Sequence, residues 1–153
     1  MSRTDTNNLK CVIVVDGALP RGIIANTSAI LGISLGRLVP EAVGRDVCDK
    51  SGCVHSGIIE FPVPVLNGTA EQLDQLRKKL YAKGFEDVAA VDFSDIAQSC
   101  KTYDEFAEKL SRTDEGSLRY FGIGLCGEAK KVNRLTGNLP LLKEKSGAQI
   151  FPY

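Results

Sequence analysis

The chain has no tryptophan, one methionine and one histidine. The single histidine, His55, confines any imidazole-driven chemistry to one position, and no G-x-S-x-G or comparable nucleophile motif accompanies it. Neither sign of charge is in excess, since nineteen basic residues face nineteen acidic ones. Without a net field, composition gives no support to sequence-independent binding of nucleic acid or of an anionic membrane. No apolar run approaches the ~20 residues that cross a bilayer. The polar opening, Met1 to Lys10, lacks the apolar segment of a secretory signal, so a cytoplasmic protein with no membrane partner is expected. Five cysteines are an odd number, scattered through strand-like and loop-like segments. That pattern fits reduced thiols better than a disulfide framework.

What is present is enough for one core. With 153 residues and 43% hydrophobic content, a polar arm (residues 1–9) and a single α/β domain (residues 10–153) are expected. Lys10 to Val15 is an unbroken β-branched run, the pattern of a strand covered on both faces. A loop beginning at Asp16 then leads into a helix from about Pro20 or Arg21 to Leu38, whose apolar positions recur at threes and fours. Gly32 and Gly36 weaken that helix by roughly 1 kcal/mol each relative to alanine and imply tight packing on the sheet. Asp49-Lys50-Ser51-Gly52 has turn chemistry between Val47-Cys48 and Cys53-Val54, predicting a small hairpin insertion at about 44–57. Ile58 to Phe61 reads as a second core strand, stopped by Pro62 and Pro64. Thr69 with Gln72 makes a capping box for a helix to Lys83 that buries Leu73, Leu76 and Leu80 and ends at Gly84. Val88 to Phe93 and Leu118 to Leu125 are further strands. A short helix capped by Thr102 lies between them, and a last one covers Glu128 to Leu135. The fold class is α/β: three layers, with helices on both faces of a four-stranded, mostly parallel (mixed) sheet.

Several patterns point toward chemistry. Gly122-Ile-Gly-Leu-Cys-Gly127 matches G-x-G-x-x-G, but its first two glycines fall inside a strand and no further strand follows. It reads as a glycine-thinned strand, and no cofactor is expected. Cys48, Cys53 and His55 carry zinc-compatible donors, yet three where structural zinc takes four; an oxidisable pair or two ordinary hairpin cysteines explain them as well. Asp92, at the carboxyl end of its strand, would lie near the Asp16 loop and the start of the first helix, where backbone N–H groups and the helix dipole favour anions. It would equally serve as a cap for the segment starting at Ser94.

Two blocks resemble the type-two peptidyl-tRNA hydrolases: Val12 to Ala29, and Gly127 with Leu135-Thr-Gly-Asn-Leu-Pro-Leu-Leu142. A closer likeness is to the domain-of-unknown-function-2000 family, through the Gly44-Arg-Asp-Val-Cys-Asp49 hairpin ahead of Pro62-Val-Pro-Val-Leu66. The resemblance implies the hydrolase's fold, and it aligns Asp92, Thr136 and Gly137 with that family's pattern. It departs where the hydrolase carries its lysine and histidine. Gly22 and Ala29 stand there or, one residue earlier, Arg21 and Ser28. Losing two such groups should cost several orders of magnitude in rate, each being worth ~10²–10⁴-fold.

Three functions are therefore carried forward. The first is a domain that binds a small polar or anionic ligand around Asp16, Arg21, Asn26, Asp92, Thr136 and Gly137, as a monomer or a homodimer. The second is a divergent hydrolase of peptidyl- or aminoacyl-tRNA-type esters, with Arg21, Ser28 and Asp92 as its catalytic set. The third is a thiol or zinc module on Cys48, Cys53 and His55. Nucleic acid is not expected, tRNA being kept only through the resemblance.

Overall fold

The computed structural model of the chain describes residues 6–144. Most of the expected arm (residues 1–5) and the end of the tail (residues 145–153) lie outside the described residues. Thr6–Asn8 form a 3-10 turn leading into strand β1, Leu9–Asp16. All of β1 from Cys11 onward is buried, as its β-branched run demands. Helix α1 follows at Arg21–Leu38. A hairpin of β2 (Val47–Cys48) and β3 (Val54–His55) comes next, then β4 (Val65–Gly68) and α2 (Ala70–Tyr81). The chain continues through β5 (Ala89–Ser94), the short α3 (Asp95–Ser99) and α4 (Tyr103–Ser111), and closes with β6 (Tyr120–Glu128) and α5 (Ala129–Thr136).

The main sheet has the order β4-β1-β6-β5. It is mixed, as expected, but its pairing is not mostly parallel. β4, β1 and β5 point one way, while β6 runs opposite between β1 and β5, so β1–β4 is the one parallel pair. The second core strand also needs correction. It is Val65–Gly68, whereas Ile58 to Phe61 contributes a single bridge from Ile59 to Val43. Pro62 and Pro64 break the chain before it can join the sheet, and pairing begins as soon as they are passed. Ile13 N–H donates to the Pro64 carbonyl at 3.0 Å. Beyond α5 the chain returns along the outer edge of β4, where Asn67 N–H donates to Pro140 O and Leu142 N–H to Val65 O.

The two faces of β1 have different covers because its side chains alternate. Val12 and Val14 pack with Ile123 and Leu125 under Leu73, Leu76 and Leu80 of α2 and Val132 and Leu135 of α5. On the other face, Cys11, Ile13 and Val15 pack under α1 through Leu31 and Leu35. The α2 leucines recur at three and four, and each is worth about 1.5–3 kcal/mol of burial. The capping box forms as expected: Gln72 N–H donates to Thr69 Oγ1 and Thr69 N–H to Gln72 Oε1.

The glycines of β6 explain how α1 comes so close. A Cβ on Gly122 would sit 2.7 Å from Thr27 Cγ2, and one on Gly124 would sit 2.9 Å from Leu35 Cδ1. Gly32 and Gly36 behave differently from expectation. Nothing lies within 4 Å of a Cβ at either, so neither is pressed against the sheet.

Candidate functional site

Asp16 ends β1 with 3% of its surface exposed. A carboxylate this deep needs partners, and it has them. Ala18 N–H donates to Asp16 Oδ1 at 3.0 Å, closing the turn toward α1, and Arg119 Nη2 donates to Oδ2 at 3.1 Å. The Arg119 guanidinium is still half exposed, and its carbon lies 5.7 Å from the centre of the Phe121 ring. Its backbone is tied to the start of α3, because Arg119 N–H donates to Asp95 Oδ1 at 3.2 Å and Asp95 N–H to Arg119 O at 2.9 Å. Gly17 lies hard against Asn67: a Cβ there would be 2.1 Å from Asn67 Oδ1. The carboxyl end of β1 thus carries Asp16, Arg119, Asp95 and Asn67 around one loop.

The amino end of α1 opens from that loop. Pro20 makes no side-chain cap, the first turn has no acidic residue, and the first intrahelical bond is Ile24 N–H to Pro20 O. The N–H groups of Arg21, Gly22 and Ile23 precede it and have no partner within the helix. Arg21 is exposed, with Nη2 3.1 Å from Glu144 Oε2. Asn26 Nδ2 reaches Gln98 Oε1 at 3.4 Å, linking α1 to α3. Ser28 is half-buried on the same helix, seven residues on from Arg21.

Asp92 is not part of this arrangement. Val91 and Phe93 of β5 face α1, so Asp92 faces the opposite layer. There Arg77 Nε of α2 lies 3.2 Å from Asp92 Oδ2, and the Arg77 guanidinium stacks 4.3 Å from the Tyr81 ring centre. Burial pushes the Asp92 carboxyl above the usual carboxylate range, because desolvation outweighs the opposing pull of Arg77, and Glu115 adds to the rise. Tyr120 OH donates to Glu115 Oε1 at 2.9 Å, and burial together with that bond raises its pKa. Thr136 is likewise in the second layer. It is buried and donates to Val132 O at 2.8 Å, while Gly137 N–H closes α5 on Asn133 O at 2.7 Å. Both residues finish a helix. The single crevice expected from Asp16, Arg21, Asn26, Asp92, Thr136 and Gly137 is therefore not formed: Arg21, Asn26 and Ser28 are on α1, Asp92, Thr136 and Gly137 are in the α2–α5 layer, and Asp16 stands at the carboxyl end of β1.

On the hairpin, Asp49 organises the turn. Its side chain accepts from Ser51 N–H at 2.9 Å and Cys53 N–H at 3.0 Å, and His55 Nε2 lies 2.9 Å from Asp49 Oδ2. The His55 contact is the largest of the effects holding the Asp49 carboxyl below its ordinary pKa. Cys48 and Cys53 are exposed free thiols. Among the described residues, no three or more His, Cys, Asp or Glu side chains gather as a metal site. The expectation of reduced cysteines throughout is corrected at Cys11 and Cys126, which form a disulfide. They are directly opposite in the β1–β6 register, with Cα atoms 4.2 Å apart, and that pairing could not be read from spacing 115 residues apart.

Arg119, Asp95 and Asn67 were not singled out by sequence. A basic residue inside the stretch expected as a strand, Leu118 to Leu125, was the available signal for Arg119, which the structure sets just ahead of β6. It became meaningful only once β6 was antiparallel to β1, which sets Arg119 beside the end of β1 rather than at the far edge of the sheet.

The architecture and this polar end define a mixed α/β protein with helices on both faces of a four-stranded sheet. Residues 9–143 match the family described as protein of unknown function, DUF2000, and the chain belongs to that family. A solved structure of a protein of unknown function from Agrobacterium tumefaciens strain C58, Atu0240, is similar with a TM-score of 0.78 at 16% identity, over 88% of this chain and 97% of that one. At that identity the likeness shows the fold. No curated protein matches the chain. Among the described residues, no helix is long and apolar enough to cross a membrane.

Proposed function

We propose that the chain is a ligand-binding domain on a peptidyl-tRNA hydrolase II-like scaffold. It takes a small anion, or the anionic end of a small polar molecule, at the carboxyl end of β1. One observation carries this reading: the half-exposed side chain of Arg119 is pinned by the buried carboxylate of Asp16, and Asp16 leads through one short loop into the uncapped amino end of α1. A guanidinium held by one fixed carboxylate is pre-oriented for a second, and the first-turn N–H groups of α1, which have no partner within the helix, add the dipole's attraction for negative charge. Glu144 supplies a carboxylate to Arg21 at the same helix end, which is the kind of group this surface favours. Gly22 and Ala29 bring no acid, base or nucleophile to the site. The hydrolytic set of Arg21, Ser28 and Asp92 loses its support because Asp92 lies across the sheet, paired with Arg77.

The test is an amide NMR titration of the full chain with inorganic phosphate and with acetate. Saturable shifts are expected in the Gly17 to Ile24 amides, and Arg21→Ala and Arg119→Ala should each weaken binding by at least about tenfold, equivalent to ~1.4 kcal/mol. Shifts that are absent, or that both variants leave untouched, would overturn the proposal.

A further inference from the structure

The last two turns of α1 border a cavity of about 180 Å³ that the anion site does not use. Its walls come from β1 (Cys11), from α1 (Gly32 and Gly36), and from the segments leading into and out of the hairpin (Val43, Ile59 and Val63). The remaining lining residues, Leu35, Val39 and Ala42, are buried and apolar. No charged side chain and no hydroxyl or amide side chain lines it, and its one sulfur belongs to the Cys11–Cys126 disulfide.

Three observations converge on what this space accepts. The first is polarity: a water needs two to four polar partners to be held, and this lining offers no side-chain donor or acceptor of that strength, so an apolar group replaces solvent here without losing hydrogen bonds. The second is size. The cavity is close to the ~150 Å³ that accommodates benzene in an apolar protein interior and below the ~300 Å³ at which drug-sized sites begin. A nucleotide or a flavin does not fit, whereas one aromatic ring or a short alkyl end does. The third is the way the space is kept open. Gly32 and Gly36 sit one turn apart with open space where a Cβ would go, although glycine disfavours the helix at both positions. A larger side chain at either would fill the cavity from the α1 side. The cavity also meets solvent at an apolar side chain, since Val43 of its lining is 43% exposed.

We propose that this cavity is a second binding site of the chain, specific for a neutral hydrocarbon group of single-ring size. It is independent of the anion site, being formed by the opposite end of α1 and by residues that take no part in the Asp16–Arg119 arrangement.

The experiment is a methyl NMR titration of the full chain, disulfide intact, with benzene as the probe and inorganic phosphate as the contrast. Benzene should give saturable shifts in the methyls of Leu35, Val39, Val43, Ile59 and Val63, and phosphate should not. Gly36→Leu should weaken benzene binding at least tenfold and Gly36→Ala by a smaller factor. Gly22→Ala, on an open face of the same helix, should leave it unchanged, as should Arg21→Ala. Gly32→Leu provides a second filled variant should Gly36→Leu not fold. No saturable shift up to the solubility of benzene, or equal affinity in a folded filled variant, would overturn the proposal, and neither result bears on phosphate binding at the other end of α1.

Discussion

Asp92 shows what a single residue's surroundings do to its chemistry. An exposed aspartate titrates near 3.8, and this one is raised because its carboxylate loses water faster than Arg77 compensates. A raised carboxyl pKa favours the folded state at low pH. Its contribution is fully present below about 3.8 and is lost as pH climbs through the folded-state midpoint. A carboxyl-carbon NMR titration should therefore place the Asp92 midpoint above 3.8, and Arg77→Met should move it higher still by removing the one cation that opposes the shift. Relative to Asp92→Asn, the stability of the parent protein should fall with rising pH across that window. A midpoint at or below the ordinary value would refute the assignment. Asp16, two strands away and more deeply buried, instead accepts hydrogen bonds from Arg119 and from Ala18 N–H. The same residue type serves a structural pair on one face of the sheet and the proposed anion site at its end.

At the scale of elements, α1 and β6 meet in a close seam. Thr27 and Leu31 of α1 lie where side chains on Gly122 and Gly124 would otherwise stand. A methyl on Gly122 would meet Thr27 Cγ2 at 2.7 Å, Leu31 Cδ1 at 3.0 Å and the Val14 carbonyl at 3.0 Å, and the last of these belongs to a central strand that cannot yield. Gly122→Ala should cost ~1–3 kcal/mol, the usual range for overpacking a core. Urea unfolding measures it directly, and an unchanged midpoint would show that α1 can lift from the sheet. The first two glycines of the G-x-G-x-x-G pattern are thus accounted for by helix–sheet contact, and the third, Gly127, lies against Val88. The hairpin stands at the other extreme. Every residue from 45 to 56 is exposed, and its turn is organised by one carboxylate, that of Asp49. Because the Asp49 carboxyl is held below 3.8, its contribution to the turn is present above that pH and lost as pH falls through the lowered value.

On the scale of the whole molecule, the Cys11–Cys126 disulfide joins the first strand to the last across a separation of 115 residues. A link of that span restricts the unfolded chain strongly, and native disulfides are worth ~2–4 kcal/mol. For a chain of this size that corresponds to roughly 5–15 °C in Tm. Thermal unfolding with and without reductant should show a drop of this order in the parent protein and in Cys48→Ser, and none in Cys126→Ala. Equal melting of the oxidised and reduced parent would mean that the strand pairing alone holds the two ends.

How much of this could be read beforehand follows from the range over which each signal acts. The first strand, both limits of α1, the capping box of α2 and the Thr102 cap of α4 were legible, because periodicity and capping involve residues within a few positions of one another. The strand Val65–Gly68 was not legible, since four residues are too few for a period to declare itself. Asp16, Arg21 and Asn26 were recognisable as neighbours for the same local reason, all three lying on one strand–loop–helix unit.

The sequence by itself determined the helices and the three longer strands and which of their faces are apolar, because those properties are set by near neighbours in the chain; the four-residue β4 was not among them. Only the tertiary structure decided that Arg119 belongs to Asp16, that Asp92 belongs to Arg77, that Cys11 belongs to Cys126, and that Gly32 and Gly36 border an open cavity. Each of those outcomes depends on strand order, direction and register. An antiparallel β6 beside β1 brings distant positions face to face, and the pleat sends Asp92 to the layer opposite α1.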